Sequence, residues 1–346
     1  MIGAALLALL AGAELHVAAG APLADALASA SSGDTLRLGP GEHRGSLGRL
    51  AGLTVIGAGA GVTFVLAPPG EDGASVEDGA TLRGLSLIAG PARSAVKALG
   101  GTVLLVDVAL VGGVSGLFVD GAQVIGRDLW LQGEYGLLQR SGTVALTGVT
   151  ATGRHAGLAL LSGELDLSRA AVTGPSSEAA VTIGGGTARL VESVYRAGGP
   201  SGLAVAGGRV IAHDLTISGP RELNGVGGDC LLVLRGRVEL SWSELTGCGG
   251  AAVEAARSEL VLDGVDAGGG AAGGFIFTDR TRAELKATLV TGRGPGLVAA
   301  QGAQVRAWQA RTWTDPAIWV DCGSGARVEQ LDAHGARQPC DPPADK

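Results

Sequence analysis

GVSGLFVDGAQVIGRDLWLQG, residues 113–133, has the same pattern as GPSGLAVAGGRVIAHDLTISG, residues 199–219. Each stretch contains a turn of small residues, a short apolar strand, a second turn and a longer alternating stretch before a closing glycine. Such blocks recur about every 22 residues and end at Gly90, Gly112, Gly133, Gly153, Gly174, Gly198, Gly219, Gly247, Gly268 and Gly292. This period predicts an all-β fold, a parallel β-helix of about 12 coils of about 22 residues, and the twist of its strands favours right-handed coiling.

The composition agrees with a continuous buried core. The 346-residue chain has 61 glycines, 46% hydrophobic residues and 17% charged residues, which excludes a disordered chain. Because stacked repeats form one elongated body, we expect one β-helix domain over residues 14–325. The net charge of −7, with three lysines and no basic stripe, argues against a nucleic-acid partner. No cofactor is expected.

The two ends of the chain differ from the repeats. Residues 1–13 contain an uncharged apolar run and an AGA site, which predicts a signal peptide and a secreted or periplasmic protein without a membrane span. A buried first strand is the alternative. PLADALASA, residues 22–30, predicts a short capping helix with Pro22 at its first position. The repeat degrades after Gly325, and residues 336–346, ARQPCDPPADK, contain too many prolines to continue a strand, which predicts a C-terminal cap and tail over residues 326–346.

Four cysteines fall into two pairs, each 18 residues apart: Cys230 with Cys248, and Cys322 with Cys340. Because one coil takes about 22 residues, each pair lies on adjacent coils, and the spacing favours these two disulfides. A metal site would require a CxxC motif or a neighbouring histidine pair, which the sequence lacks, so no metal is expected. Free buried thiols are the other alternative.

A family resemblance is carried by LADALASASSGDTLRLGPGEHRGSLGRLAGLTVIGAGAGVTFVL, residues 23–66. This run resembles the opening of right-handed parallel β-helix proteins of the pectate-lyase-like superfamily. The superfamily includes polysaccharide lyases, hydrolases, esterases and epimerases, besides adhesins and catalytically silent members. The resemblance therefore implies the fold and favours a carbohydrate ligand. The sequence lacks the Asp-Asp pair with a GHG turn of the hydrolases, so the chain is not assigned as an enzyme.

Alternation within the coils predicts which side chains point outwards. Asp107, Asp128 and Asp214 lie five residues before closing glycines and are expected at a bend. Residues at positions minus two and minus four are mostly apolar, so the residue at minus three points outwards. That position holds Trp130 and Tyr195, which are predicted to bind sugar rings unless a loop covers them.

Two groups of polar residues are weaker site candidates. Glu244 lies three residues before its closing glycine, and Asp266 takes the same outward position if Gly269 closes the next coil. The two carboxylates would then be roughly 5 Å apart on adjacent coils, near the separation in retaining glycosidases. A solvated face is the alternative. The loops after the closing glycines form a second group, in which His155 with Glu178 could perform acid–base chemistry and two arginines could hold a uronate carboxylate. Its predicted ligand-binding members are Tyr135, Arg154, Arg221 and Glu222.

These observations predict an exported β-helix protein that binds an extracellular or cell-envelope polysaccharide. A polysaccharide lyase or glycoside hydrolase is one alternative, and a structural spacer or surface protein without a ligand is another.

Overall fold

A computed structural model describes residues 12–174, 178–219, 228–270, 272–315, 320–322, 325–332 and 335–337. These residues form an all-β parallel solenoid of about 13 turns with one short helix, which confirms the predicted fold class. The chain divides into two compact units, Met1–Gly153 and Arg154–Lys346.

The first unit contains the helix α1 (Leu23–Ser29) and the first strands. The strands that begin in it are β1 (Glu14–Val17), β2 (Thr35–Leu38), β3 (Gly41–Arg44), β4 (Gly48–Ala51), β5 (Thr54–Ile56), β6 (Thr63–Leu66), β7 (Ala74–Glu77), β8 (Thr81–Ile88), β9 (Ser94–Ala98), β10 (Thr102–Val111), β11 (Ser115–Val119), β12 (Gln123–Gln139) and β13 (Thr143–Leu160).

The second unit contains the remaining strands. They are β14 (Glu164–Ser168), β15 (Ala171–Thr173), β16 (Val181–Ile183), β17 (Thr187–Arg196), β18 (Ser201–Val205), β19 (Arg209–Ser218), β20 (Asp229–Leu234), β21 (Arg237–Ser241), β22 (Glu244–Thr246), β23 (Ala251–Ala256), β24 (Glu259–Asp263), β25 (Asp266–Gly269), β26 (Gly273–Thr278), β27 (Arg282–Lys286), β28 (Leu289–Arg293), β29 (Leu297–Ala299), β30 (Gln304–Trp308), β31 (Arg311–Asp315), β32 (Val320–Cys322), β33 (Arg327–Asp332) and β34 (Gly335–Arg337).

Strands of successive turns pair in parallel and in register, so equivalent side chains stack in columns. In the first unit, Val108 of β10 aligns with Leu85 of β8 and with Leu129 of β12. All three side chains are buried. Because alternate residues of a strand point to opposite faces, such inward columns form the core and the residues between them form an outer surface.

The helix α1 is compatible with the predicted N-terminal cap. Leu23 is buried and Leu27, four residues on, is half-buried on the same helix face. Pro22 has an extended backbone, with φ −63° and ψ 110°, and is the N-cap residue. The prediction that Pro22 is the first helical residue is therefore wrong by one position. Proline suits both places, because the first N–H groups of a helix have no intrahelical partner.

A sharp bend recurs before the strands that end each block. Asp107, Asp128 and Asp214 have φ of 53°, 56° and 54°, in the left-handed region, which confirms the predicted bend. Aspartate tolerates this region better than most residues because its short polar side chain can bond locally. In the turn after Asp214, the aligned bend residue is Trp242, with φ 49°.

One predicted disulfide is present in the second unit. Cys230 in β20 is bonded to Cys248, with their Cα atoms 5.3 Å apart. Cys322 ends β32, whereas Cys340 lies outside the described residues, so the second pairing stays a prediction. The predicted signal peptide, residues 1–13, also falls almost wholly outside them. Within the described part of the chain, no helix has the length and apolar character needed to cross a membrane.

Candidate functional site

Two carboxylates are direct neighbours on adjacent turns of the second unit. The pairing of β22 with β25 aligns Glu244 with Asp266, and the pairing of β19 with β22 aligns Thr216 with Glu244. Both acidic residues are exposed. The predicted juxtaposition is confirmed, including the frame of the later coil on Gly269, where β25 ends.

An exposed indole lies at the start of the same turn. Trp242 comes two residues before Glu244 and is 66% exposed. Its ring lies over Gly264 of the next turn, where an added Cβ would be 3.0 Å from ring carbon Cε3. A side chain here would crowd the indole, and the φ of 63° at Gly264 also favours glycine. We call Trp242, Glu244 and Asp266 the outer strip, because together they give a flat aromatic surface beside two acceptor groups.

The two aromatic residues predicted to share one stripe have different environments. Trp130 in the first unit is 56% exposed, as predicted. Tyr195 in the second unit is buried, so the prediction that it is exposed is wrong. Its neighbours in register are Val172 and Ile217, both inward-facing core residues.

A shift of one residue in the frame explains the error at Tyr195. Arg196 aligns with Ser218, which directly precedes the closing Gly219, so the equivalent closing residue of the earlier coil is Ala197 rather than Gly198. The outward position then belongs to Val194, which is half-buried. Tyr195 points inwards because the glycine of this coil, Gly198, comes one residue after the closing position of the other coils.

The structure brings together one pair from the predicted loop column. His155 Nδ1 lies 3.6 Å from Glu178 Oε1, and both side chains are about half exposed, at 47% each. Arg154 precedes His155 in β13, and Tyr135 is half-buried in β12 of the first unit. Arg221 and Glu222 lie outside the described residues. The functional roles of all these residues stay predictions.

A second carboxylate pair involves Asp229 and Glu254, which the sequence analysis did not select. The N–H of Ala251 donates to Asp229 Oδ1 at 2.7 Å. Partial burial, together with the charge of Glu254 and a hydrogen bond to it, raises the pKa of Asp229 to about 6 against the opposing effect of the Ala251 N–H. A carboxyl group with such a pKa can hold and release a proton near neutral pH, as general acids and bases do.

Sequence signals existed for one of the missed residues. Trp242 lies five residues before Gly247, the same offset that selected the bend aspartates, so the offset could have placed it on the surface at a bend. Asp229 and Glu254 are 25 residues apart, and the register of β20 with β23 aligns Glu254 with Leu232, so no regular spacing indicates that the two carboxyl groups interact. Within the described part of the chain, no group of three or more His, Cys, Asp or Glu side chains is placed to hold a metal ion.

Known structures with this fold include polysaccharide-acting enzymes. The A-module of mannuronan C-5 epimerase AlgE4 from Azotobacter vinelandii matches with a TM-score of 0.55 and 12% identity, over 85% of this chain and 90% of that chain. The catalytic unit of a GH87 α-1,3-glucanase from Streptomyces thermodiastaticus strain HF3-3 matches with a TM-score of 0.55 and 16% identity, over 87% of this chain and 64% of that chain.

No protein-family model and no curated protein sequence matches the chain. At such low identity the structural matches establish the fold alone. The chain is a parallel β-solenoid, the fold that its sequence predicted.

Proposed function

We propose that the protein binds a polysaccharide at the outer strip of its second unit. The observation that carries this proposal is the exposed indole of Trp242 beside Glu244 and Asp266. An aromatic ring offers a flat apolar face to the C–H groups of a sugar ring, while ionised carboxylates accept hydrogen bonds from its hydroxyl groups. Repeated turns extend this surface, which suits a polymer better than a single small molecule.

Two further observations support this function. The epimerase and the glucanase with the same fold carry names that state an action on mannuronan and on α-1,3-glucan. The Cys230–Cys248 disulfide supports export to an extracellular or periplasmic compartment, where disulfides persist and such polymers occur.

The test measures binding of purified protein to a panel of neutral and acidic polysaccharides by titration calorimetry. Trp242→Ala removes the stacking surface, and we expect an affinity loss of about 1 kcal/mol or more with an unchanged melting temperature. Trp130→Ala is the matched comparison, because that exposed tryptophan lies outside the outer strip and is the sugar-binding location that the sequence predicted. Equal binding by parent and Trp242→Ala, or a loss at Trp130 alone, would refute this location of the site.

The Asp229–Glu254 pair favours a second candidate function, turnover of the polysaccharide as a lyase or glycoside hydrolase. Cleavage of a glycosidic bond needs a carboxyl group that is protonated near neutral pH to act as the acid, and the raised pKa of Asp229 suits that role. Under this alternative, the parent releases new reducing or unsaturated ends and Asp229→Asn does not. Glu284→Gln is the control, since that half-exposed carboxylate of β27 lies outside both the outer strip and the Asp229–Glu254 pair. Absence of new ends across the panel leaves binding without turnover.

A further inference from the structure

A second surface of the second unit forms a pocket of about 340 Å³. It shares no residue with the outer strip or with the Asp229–Glu254 pair. The residues that line it are Arg257, Ser258, Glu259, Asp279, Arg280 and Arg282. We call this cavity the arginine pocket, because three of its six lining residues carry a guanidinium group.

Two consecutive turns of the solenoid form the pocket. Arg257 follows β23, and Asp279 and Arg280 follow β26 one turn later; all three have φ in the left-handed region, between 50° and 66°. The strand pairing places Arg282 directly beside Glu259. The stem of Arg280 lies over the next turn, where an added Cβ on Gly302 would be 3.6 Å from Arg280 Cγ.

Two buried hydroxyl residues fix the backbone at this corner. Ser258 Oγ donates to the carbonyl of Ala256 at 2.7 Å, and Thr281 Oγ1 donates to the carbonyl of Thr278 at 2.7 Å. Both hydroxyl residues are buried. The arginine backbones are therefore held in place by bonds within the protein, so the guanidinium groups project from a fixed corner.

The charges in the pocket do not cancel. Arg257 pairs with Asp279, and Glu259 lies 3.9 Å from Arg237 on the preceding turn. Within the part of the chain that the structure describes, Arg280 and Arg282 have no carboxylate at ion-pair distance. Both are exposed.

A further exposed arginine lies on the preceding turn. Arg235 occupies the corresponding corner, with φ 58°, whereas Arg237, which begins the next strand, pairs with Glu239 and Glu259. Arginines about 22 residues apart in the sequence become neighbours when the turns stack.

We propose that the arginine pocket binds an oxyanion group of an acidic polysaccharide. Guanidinium groups present planar N–H donors that match the oxygens of carboxylate and sulfate, and Arg280 and Arg282, two residues apart on one turn, can hold one anion or two neighbouring anions of a polymer. That the ligand is a polysaccharide rests on the proposed function. That the polysaccharide is acidic rests on the unpaired Arg280 and Arg282.

The experiment uses the full chain and four probes: polygalacturonate for carboxylate, dextran sulfate for sulfate, dextran for a neutral polymer, and duplex DNA for another polyanion. We expect the double variant Arg280→Gln/Arg282→Gln to bind polygalacturonate or dextran sulfate about tenfold or more weakly than the parent, since hydrogen bonds to charged groups are strong. The matched control is Arg209→Gln, because Arg209 is already paired with Glu239 at 2.9 Å.

The outcomes separate this inference from the proposed function. In one outcome, Trp242→Ala loses the binding of neutral polymers, while the parent and the arginine variant bind both acidic polysaccharides with equal affinity. This outcome supports the proposed function and overturns the arginine pocket. Tighter binding of duplex DNA than of either acidic polysaccharide also overturns it. If no polysaccharide of any charge binds the parent, both proposals fail. A loss for acidic polymers alone in the arginine variant, with the Arg209→Gln control unchanged, supports the pocket.

Discussion

The phenol of Tyr195 is buried in the core of the second unit without a hydrogen-bond partner for its hydroxyl among the described residues. The hydroxyl of Ser193, two residues earlier, donates to the Val191 carbonyl and accepts from the Ala170 N–H; it also acts to lower the pKa of the phenol, but it makes no hydrogen bond of normal geometry to it. Burial raises the pKa of the phenol well above its ordinary value, so the group stays neutral. An unpaired buried hydroxyl destabilises the folded state.

Tyr195→Phe should therefore raise the free energy of unfolding by about 1 kcal/mol, because the ring still fills the core and the unpaired hydroxyl is removed. Urea denaturation of the two proteins measures the difference. As a control, Tyr195→Ala leaves a cavity and should lower the same quantity by about 3 kcal/mol or more. A marked loss of stability in the phenylalanine variant would show that the hydroxyl has a partner.

The Asp229 carboxyl makes stability depend on pH. Its pKa is raised to about 6 in the folded protein, above the ordinary value of 3.8, so the folded state binds the proton more readily than the unfolded state. The favourable contribution is complete below pH 3.8 and is lost as the pH rises through 6.

The measurement compares the parent with Asp229→Asn, in which the side-chain oxygen can still accept the Ala251 N–H. Between about pH 4 and pH 6, the free energy of unfolding of the parent should fall relative to that of the variant. Curves that run parallel over this interval would contradict the raised pKa of Asp229.

Individual side chains were predictable only where the coil frame was right. Trp130 follows the alternation and is exposed, whereas Tyr195 was misplaced by the one-residue delay of Gly198. Side-chain direction in a strand changes with each residue, so an error of one position moves a residue from the surface to the core.

At the scale of strands and turns, the Cys230–Cys248 bond links β20 to the turn that follows β22. It closes a short segment of the chain, with a sequence separation of 18. A cross-link of this span restricts the unfolded chain and stabilises the folded state mainly through that restriction.

Replacing both cysteines, Cys230→Ala with Cys248→Ala, should lower the free energy of unfolding by about 3 kcal/mol in the chain-entropy model. Denaturation of the oxidised parent, the parent kept reduced and the double variant measures the effect. The reduced parent should match the variant more closely than the oxidised parent does. Equal stability of all three proteins would exclude a stabilising role for this disulfide.

The register of the strands was predictable from the sequence because each repeat of about 22 residues forms one coil. Residues one repeat apart in the sequence therefore align on adjacent coils. It placed Glu244 beside Asp266 and set the cysteines of the first pair on adjacent coils. The Asp229–Glu254 contact and the arginine pocket were not predictable in the same way, because they depend on where long side chains lie after the turns stack.

At the scale of the whole molecule, three candidate binding surfaces belong to the second unit: the outer strip, the Asp229–Glu254 pair and the arginine pocket. The chain as a whole has a net charge of −7, yet the arginine pocket carries more positive than negative groups. The proposed polysaccharide sites therefore all fall within Arg154–Lys346.

The most direct test of polysaccharide binding at the outer strip is oxidative footprinting of the full chain with and without a saturating polysaccharide, followed by peptide mass spectrometry. If the polysaccharide binds at the outer strip, it covers the indole of Trp242 and slows the oxidation of that residue. Trp130 should react at an unchanged rate and serves as the internal control. Equal oxidation of Trp242 with and without the bound polymer would contradict the account.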